Sequence, residues 1–119
     1  MTDVQTAIVL IRLGTGFTMV CFGISQFVNP KGWLVYIPGW LETILPMKAV
    51  TFMREHALGN FIIGLLYMIG VWPLVLAWIV LLWWASIFFF ALRHDRYIAL
   101  RDLSIIMSTV AVIVLHHAS

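Results

Sequence analysis

Residues 57–92 read ALGNFIIGLLYMIGVWPLVLAWIVLLWWASIFFFAL, without a single charged side chain. A helix needs about 20 residues to cross roughly 30 Å of hydrocarbon, so this run is too long for one membrane span and suits two. Pro73 lies near its centre, soon after Gly70. Because proline fits the first turn of a helix but not its interior, we predict a tight turn here. The run is therefore interpreted as a hairpin of two spanning helices.

Two further apolar runs flank this hairpin. The first extends from Val4 to Pro30 and is interrupted only by Arg12, and the second is Leu103–Leu115 with the apolar stretch 97–100 before it. Each is long enough for one span. We therefore predict an all-α fold, an integral membrane four-helix bundle in a single domain (1–119), with helices at about 5–28, 55–71, 73–92 and 97–116.

The composition requires the bilayer as solvent. Hydrophobic residues make up 63% of the 119 residues and charged residues 10%, and the mean hydropathy is +1.04. A soluble domain carries about 25% charged residues. A chain of this size lacks the polar side chains to cover a water-facing surface, so lipid must cover most of it.

A signal peptide is the alternative interpretation of the first apolar run. Such a peptide begins with a positive segment and ends at a small-residue cleavage site. Here the start carries Asp3, has no Lys or Arg before Arg12, and the run continues into Ser25 and Gln26. These features favour a helix that is retained.

Basic residues in the short connections predict the orientation. The two connections on one side of the predicted bundle hold Lys31, Lys48, Arg54, Arg93 and Arg96, whereas the opposite side holds both termini and only Arg12 nearby. Cytoplasmic loops carry the excess of Lys and Arg. We expect a multi-pass protein of the plasma (inner) membrane with both termini outside the cytoplasm. The net charge of +2 suits anionic lipid headgroups, and no basic run suggests nucleic acid.

The stretch 30–53 reads PKGWLVYIPGWLETILPMKAVTFM and is too apolar for an ordinary loop. Trp33, Tyr36 and Trp40 are of the type that anchors at the headgroup boundary. Pro38 and Pro46 prevent one long helix. We predict an interfacial amphipathic segment. It serves either as an anchor or as a lid over a lateral opening for a lipid-like ligand.

Polar residues at membrane depth are costly, and each is therefore a candidate for function. Arg12 is a buried charge in the first helix, at a depth that disfavours a direct pair with Asp102. The candidate ligand-binding cluster below segment 30–53 is Gln26, Glu55, His56, Asn60 and Asp102, all matched in depth except Asn60, which lies one turn deeper. It is either a structural cluster, with Arg101 extending outward to the headgroups, or a pocket for a quinone headgroup or another lipid-soluble molecule.

Other chemistry has weaker support. The single cysteine, Cys21, excludes an internal disulfide and a Cys-x-x-Cys centre. A b-type haem would need two imidazoles at one depth, for which His56 and His94 are the candidates. The adjacent pair His116–His117 is a weak metal signal, so no metal site is predicted. No nucleotide loop, Ser–His–Asp arrangement or zinc motif occurs, so no autonomous catalytic motif is evident.

The order of several short motifs resembles the DoxX/DoxD-like family of small four-helix membrane proteins. The stretches are RLGTGFTMVCFGISQFVNPKGW (12–33), REHALGNFIIGLLYMIG (54–70) and RDLSIIM (101–107). The matching positions are Arg12, Gly16, Gly23, Phe27, Pro30, Glu55, Gly59, Gly64, Asp102 and Leu103. The family often has a basic residue near the end of the first helix, where this chain has Gln26.

The resemblance implies a four-helix bundle associated with redox chemistry at the membrane, as in one branch that resembles a subunit of a thiosulfate:quinone oxidoreductase. Two functions stay open. One is an accessory or quinone- or lipid-binding oxidoreductase subunit, for which Asp102→Asn should abolish ligand binding. The other is a non-catalytic structural or assembly subunit of a larger complex. Expected partners are membrane lipids and a second copy or another membrane subunit. A small transporter is disfavoured, since four helices leave little room for alternating access.

Overall fold

The computed structural model describes residues 1–118 and, within them, every side chain except that of His94. All of its regular elements are helices, and no strand occurs in this range. The all-α prediction is therefore confirmed. The elements are α1 (Asp3–Val28), a 3-10 helix (Pro30–Tyr36), α2 (Gly39–Ile44), α3 (Ala49–Ile69), α4 (Pro73–His94) and α5 (Arg96–Ala118).

Three of the described helices are long and apolar enough to cross a membrane: α1, α4 over Pro73–Arg93, and α5. α3 has the length for a span, at 21 residues, but is not among them. It contains Arg54, Glu55, His56 and Asn60, which lower its mean hydropathy. The three apolar helices indicate a membrane protein.

The turn between α3 and α4 lies at the Gly70–Pro73 position that the sequence predicts. Gly70 ends α3 with φ +91°, a left-handed conformation that glycine adopts without steric cost. Its N–H donates to the carbonyl of Leu66, which satisfies one of the free carbonyls at the helix end. Pro73 then occupies the first turn of α4, where its missing N–H costs nothing.

α3 begins at Ala49, six residues before the predicted start at 55. The prediction placed the boundary at the charged residues Arg54 and Glu55, as if they marked the end of an interfacial segment. Helix formation depends on the backbone, however, and nothing in 49–53 interrupts it. Pro46 is the last residue before α3 that a helix interior excludes. The connecting stretch is correspondingly shorter than 30–53.

α1 packs mainly on α3, and α4 packs mainly on α5. The α1–α3 contact is close because two glycines face each other: a Cβ on Gly16 would lie 2.7 Å from the carbonyl oxygen of Gly64, and a Cβ on Gly64 would lie 2.8 Å from that of Gly16. Seven residues further along α1, Gly23 meets the carbonyl of Ala57 in the same way. Small residues allow this approach, which gives backbones extensive van der Waals contact.

The 3-10 helix and α2 fold back over the ends of the long helices. The Trp33 ring lies 5.7 Å from that of Phe22 in α1, and its Nε1–H donates to the Ser25 hydroxyl at 3.2 Å. The Trp40 ring lies 5.8 Å from that of Phe90 in α4. Of the predicted anchors, Trp33 and Tyr36 are half-buried against the protein, while Trp40 is 52% exposed. We call the stretch Pro30–Ile44 the cover.

Candidate functional site: a covered cavity at the basic end

A cavity of about 210 Å³ lies beneath the cover. It is at the basic end, defined as the end where α1 and α4 finish and α3 and α5 begin. Four long helices and the cover all contribute to its wall, which is largely aromatic and aliphatic. The lining residues used below are Phe22, Gln26, His56, Asn60, Ser86 and Arg101. Because α3 begins before its charged residues, its first two turns reach this cavity.

A buried hydrogen-bond chain crosses one wall of the cavity. Asn60 is only 1% exposed and donates from Nδ2 to Oε1 of Gln26 at 2.8 Å. Trp83 in turn donates from Nε1 to Oδ1 of Asn60 at 2.6 Å. These bonds connect α1, α3 and α4 and satisfy polar groups that would be costly to leave unpaired in a low-dielectric interior.

Trp83 packs against two residues on one face of α3. The His56 ring stacks on the indole with centroids 4.8 Å apart and planes at 12°. Three residues on, Gly59 leaves no room for a Cβ because the indole ring occupies that space. Residues three apart share a helix face. The His56 ring is thus oriented flat at the cavity wall, with its ring nitrogens outside the hydrogen-bond chain.

Arg101 is the one Asp, Glu, Lys or Arg side chain among the described lining residues. Its guanidinium lies 4.9 Å from the Phe22 ring centroid, a cation–π contact. Asp102, which is fully buried, accepts from Arg101 Nη2 at 2.9 Å and from Nε at 3.2 Å, both on Oδ1. Asp102 Oδ2 has no hydrogen-bond partner among the described residues. Asp102 therefore acts on the cavity by positioning Arg101.

The structure brings together part of the predicted cluster. Gln26, His56 and Asn60 all line the cavity, whereas Asp102 lies behind Arg101 and outside its wall. Glu55 is exposed and makes no ion pair among the described residues. Its neighbour His56 points inward because successive helix residues lie about 100° apart. The predicted role of this cluster in ligand binding stays a prediction.

Two residues of the site were missed by sequence reasoning. Trp83 looked like one more apolar residue of a spanning helix. Arg101 was expected to extend outward to the headgroups, and its side chain is 43% exposed, but it also lines the cavity. The spacing of His56 and Gly59 could have indicated an aromatic partner such as Trp83, because a small residue one turn from a ring leaves room for an aromatic side chain from another helix. No comparable signal identified Arg101.

Other predicted sites lie elsewhere. Arg12 is half-buried near the opposite end, its guanidinium beside Gly70, and its Nε has no hydrogen-bond partner among the described residues. No group of three His, Cys, Asp or Glu side chains suited to a metal ion occurs in the described part of the chain. The haem pairing of His56 with His94 falls on a side chain outside the described structure.

No family model, curated protein or solved structure matches this chain.

Proposed function

We propose that this chain is a DoxX-like integral membrane protein that binds the head of a quinone or a similar lipid-soluble molecule and serves a membrane redox system as an accessory subunit. The observation that carries the proposal is the covered aromatic cavity with two donor side chains, His56 and Arg101, in its wall. Ligand sites are mostly apolar with a few polar groups that fix orientation.

The cavity is large enough for only part of a ligand. Pockets for whole drug-sized molecules hold roughly 300–1,000 Å³, whereas this one holds about 210 Å³. A flat ring head fits between aromatic walls such as Phe22, and a long apolar tail would lie in the surrounding lipid. The guanidinium of Arg101 and a ring N–H of His56 can each donate to a carbonyl oxygen. A bound quinone would supply the electron-accepting group.

The membrane arrangement we propose has all four long helices crossing the bilayer as a bundle. The polar side chain of Asn60 is buried inside the protein, so α3 presents less polar surface to lipid than its composition suggests. The molecule is 48 Å in its longest dimension, close to the roughly 40–45 Å of a bilayer with its headgroup regions. The basic end then faces the cytoplasm.

A C-terminal reporter tests this orientation in the plasma (inner) membrane. The proposal expects activity from a reporter that works outside the cytoplasm, and none from one that needs the cytoplasm. The reverse pattern would overturn the assignment of both termini to the non-cytoplasmic side.

A non-catalytic structural or assembly subunit is the second candidate. The closed hydrogen-bond chain Gln26–Asn60–Trp83 supports it, because buried polar groups that satisfy each other can serve to fix helix packing alone. It expects a stable complex with a second copy or another membrane subunit, and no ligand. Gentle-detergent purification followed by identification of bound proteins and small molecules separates the two candidates.

Two matched serine variants test the cavity directly. Ser86 and Ser104 are both exposed helical serines whose hydroxyls donate to the carbonyl three residues earlier at 2.7 Å, but only Ser86 lines the cavity. The probe is a short-chain benzoquinone, titrated into purified protein while tryptophan fluorescence is recorded, since Trp33 and Trp84 line the same cavity. We expect saturable quenching that Ser86→Phe weakens and Ser104→Phe leaves unchanged.

The titration has a clear negative result. Quenching that is non-saturable, or that is equal in both variants, would mean that the quinone partitions into the micelle without a site. The structural interpretation would then be the better one.

A further inference from the structure

A second concavity is lined by the cover and the last turns of α4. It holds about 340 Å³ and shares Tyr36, Ile37, Pro38 and Phe90 with the inner cavity. Its other lining residues are Val35, Gly39, Trp40, Phe89 and Arg93. We call it the Arg93 groove. It is distinct from the proposed quinone site, which has Arg101 as its charged residue.

Arg93 brings an uncompensated positive charge to this groove. The side chain is exposed, lies 5.9 Å from the Phe89 ring centroid, and makes no ion pair among the described residues. The acid next along the chain, Asp95, is engaged elsewhere: its Oδ1 accepts from the backbone N–H of Tyr97 at 2.9 Å and of Ile98 at 3.4 Å. Asp95 thereby caps α5 rather than neutralising Arg93.

We propose that the Arg93 groove binds the headgroup of an anionic phospholipid. A guanidinium donates two parallel hydrogen bonds to a phosphate, and its weak hydration suits an interfacial position. Trp40 and Phe90, with ring centroids 5.8 Å apart and ring planes tilted by 48°, form an aromatic rim of the kind that favours the headgroup boundary. The lipid phosphate lies on Arg93, and its acyl chains continue along the apolar surface of α4.

Charge complementarity favours an anionic phospholipid over other amphiphiles in the Arg93 groove. The groove lies at the basic end, where Lys31, Lys48, Arg54 and Arg96 are also exposed. Such an end attracts an anionic leaflet in general, but Arg93, unlike those four residues, lines the groove. A zwitterionic lipid would place its own positive group beside Arg93 and gain less. Because the groove shares the Tyr36–Pro38 wall with the inner cavity, a lipid in it supports the cover.

The test compares Arg93→Gln with Arg54→Gln. Arg54 is a matched control because it is also exposed, also lies 5.9 Å from a phenylalanine centroid (Phe27), and also has no ion pair with any described residue, but it does not line the groove. Purified protein is titrated with phosphatidylglycerol and, separately, with phosphatidylcholine, and bound lipid is counted by native mass spectrometry. Losing one charge-assisted phosphate contact should weaken phosphatidylglycerol binding about tenfold in Arg93→Gln.

The controls make every outcome decisive. Arg54→Gln should bind phosphatidylglycerol like the parent protein, and glycerol phosphate at the same concentration should not compete. Equal losses in both variants would show only general attraction to the basic end and would overturn the proposal. Competition by glycerol phosphate would mean that the groove binds a simple anion and not specifically a lipid. Equal binding of phosphatidylcholine would mean that the charge of the headgroup has no role. Either result would overturn the proposal.

Discussion

Asn60→Leu removes the centre of the buried hydrogen-bond chain and keeps the number and branching of the side-chain heavy atoms. Two bonds are lost, the 2.8 Å bond to Gln26 and the 2.6 Å bond from Trp83. A buried group left without its partner costs about 1–3 kcal/mol in proteins generally, while interhelical hydrogen bonds in membranes average about 0.6 kcal/mol and reach about 1.7. With both bonds lost, we expect the free energy of unfolding to fall by about 1–3 kcal/mol.

A double-mutant cycle isolates one of the two bonds. Trp83→Phe removes the indole N–H but keeps an aromatic ring between His56 and Gly59. The coupling energy between Asn60→Leu and Trp83→Phe should be about 0.6–1.7 kcal/mol, the range for hydrogen bonds between membrane helices. Unfolding is followed by far-ultraviolet circular dichroism as sodium dodecyl sulfate is added to a non-ionic micelle.

The control cycle uses the exposed bond between Trp33 and Ser25, which has the same donor type at 3.2 Å. Trp33→Phe with Ser25→Ala should show a coupling energy near zero, because water or headgroups replace an exposed partner. If Asn60→Leu and Trp83→Phe are additive to within about 0.3 kcal/mol, the prediction is wrong, because the hydrogen bond between Trp83 and Asn60 would then contribute nothing to helix association.

Three further predictions concern single residues. Gly16→Ala should lower the free energy of unfolding by about 1–3 kcal/mol, because the new Cβ would meet the backbone of α3. The control Gly14→Ala should be neutral or slightly stabilising in the same denaturation assay, because a Cβ on Gly14 would have nothing within 4 Å. Gly70→Ala should cost about 1–3 kcal/mol, because its φ of +91° strains any residue with a Cβ; an unchanged transition midpoint would contradict this. Asp102→Asn should weaken benzoquinone quenching about tenfold or more while helicity is retained, because a neutral amide holds Arg101 less firmly.

The turn between α3 and α4 was predictable from sequence because its signals are local. A glycine that tolerates a left-handed conformation and a proline at the start of the next helix mark the turn whatever surrounds them. The start of α3 was not predicted correctly. The prediction placed the boundary at charged residues, but charged side chains do not interrupt the helical backbone. Residues 49–53 continue the helix of Arg54 and Glu55 without a break.

The candidate site was partly predictable for a similar reason. Depth along each helix follows from a rise of about 1.5 Å per residue, and it grouped Gln26 and His56 at one level, with Asn60 one turn deeper. Rotation about each helix axis depends on tertiary packing, and a short charged stretch gives no clear direction. Glu55 was therefore placed in the cluster although it is exposed, and Trp83 was left out although its Nε1 bonds to Asn60.

The polar groups at the basic end separate into two sets, and the separation decides where a ligand can bind. In the first set, the amide oxygen atoms of Gln26 and Asn60 already accept hydrogen bonds from within the protein. A ligand gains little by competing with such bonds, because it must break one to make another. In the second set, His56 has its ring nitrogens outside that chain, and Arg101 binds Asp102 through Nε and Nη2 only. The remaining guanidinium N–H groups of Arg101 can be donated into the cavity. Substitutions in the first set should therefore change stability, whereas substitutions of His56 and Arg101 should also weaken ligand binding. Loss of Arg101 would in addition destabilise the fold, because the buried carboxylate of Asp102 would lose its ion-pair partner.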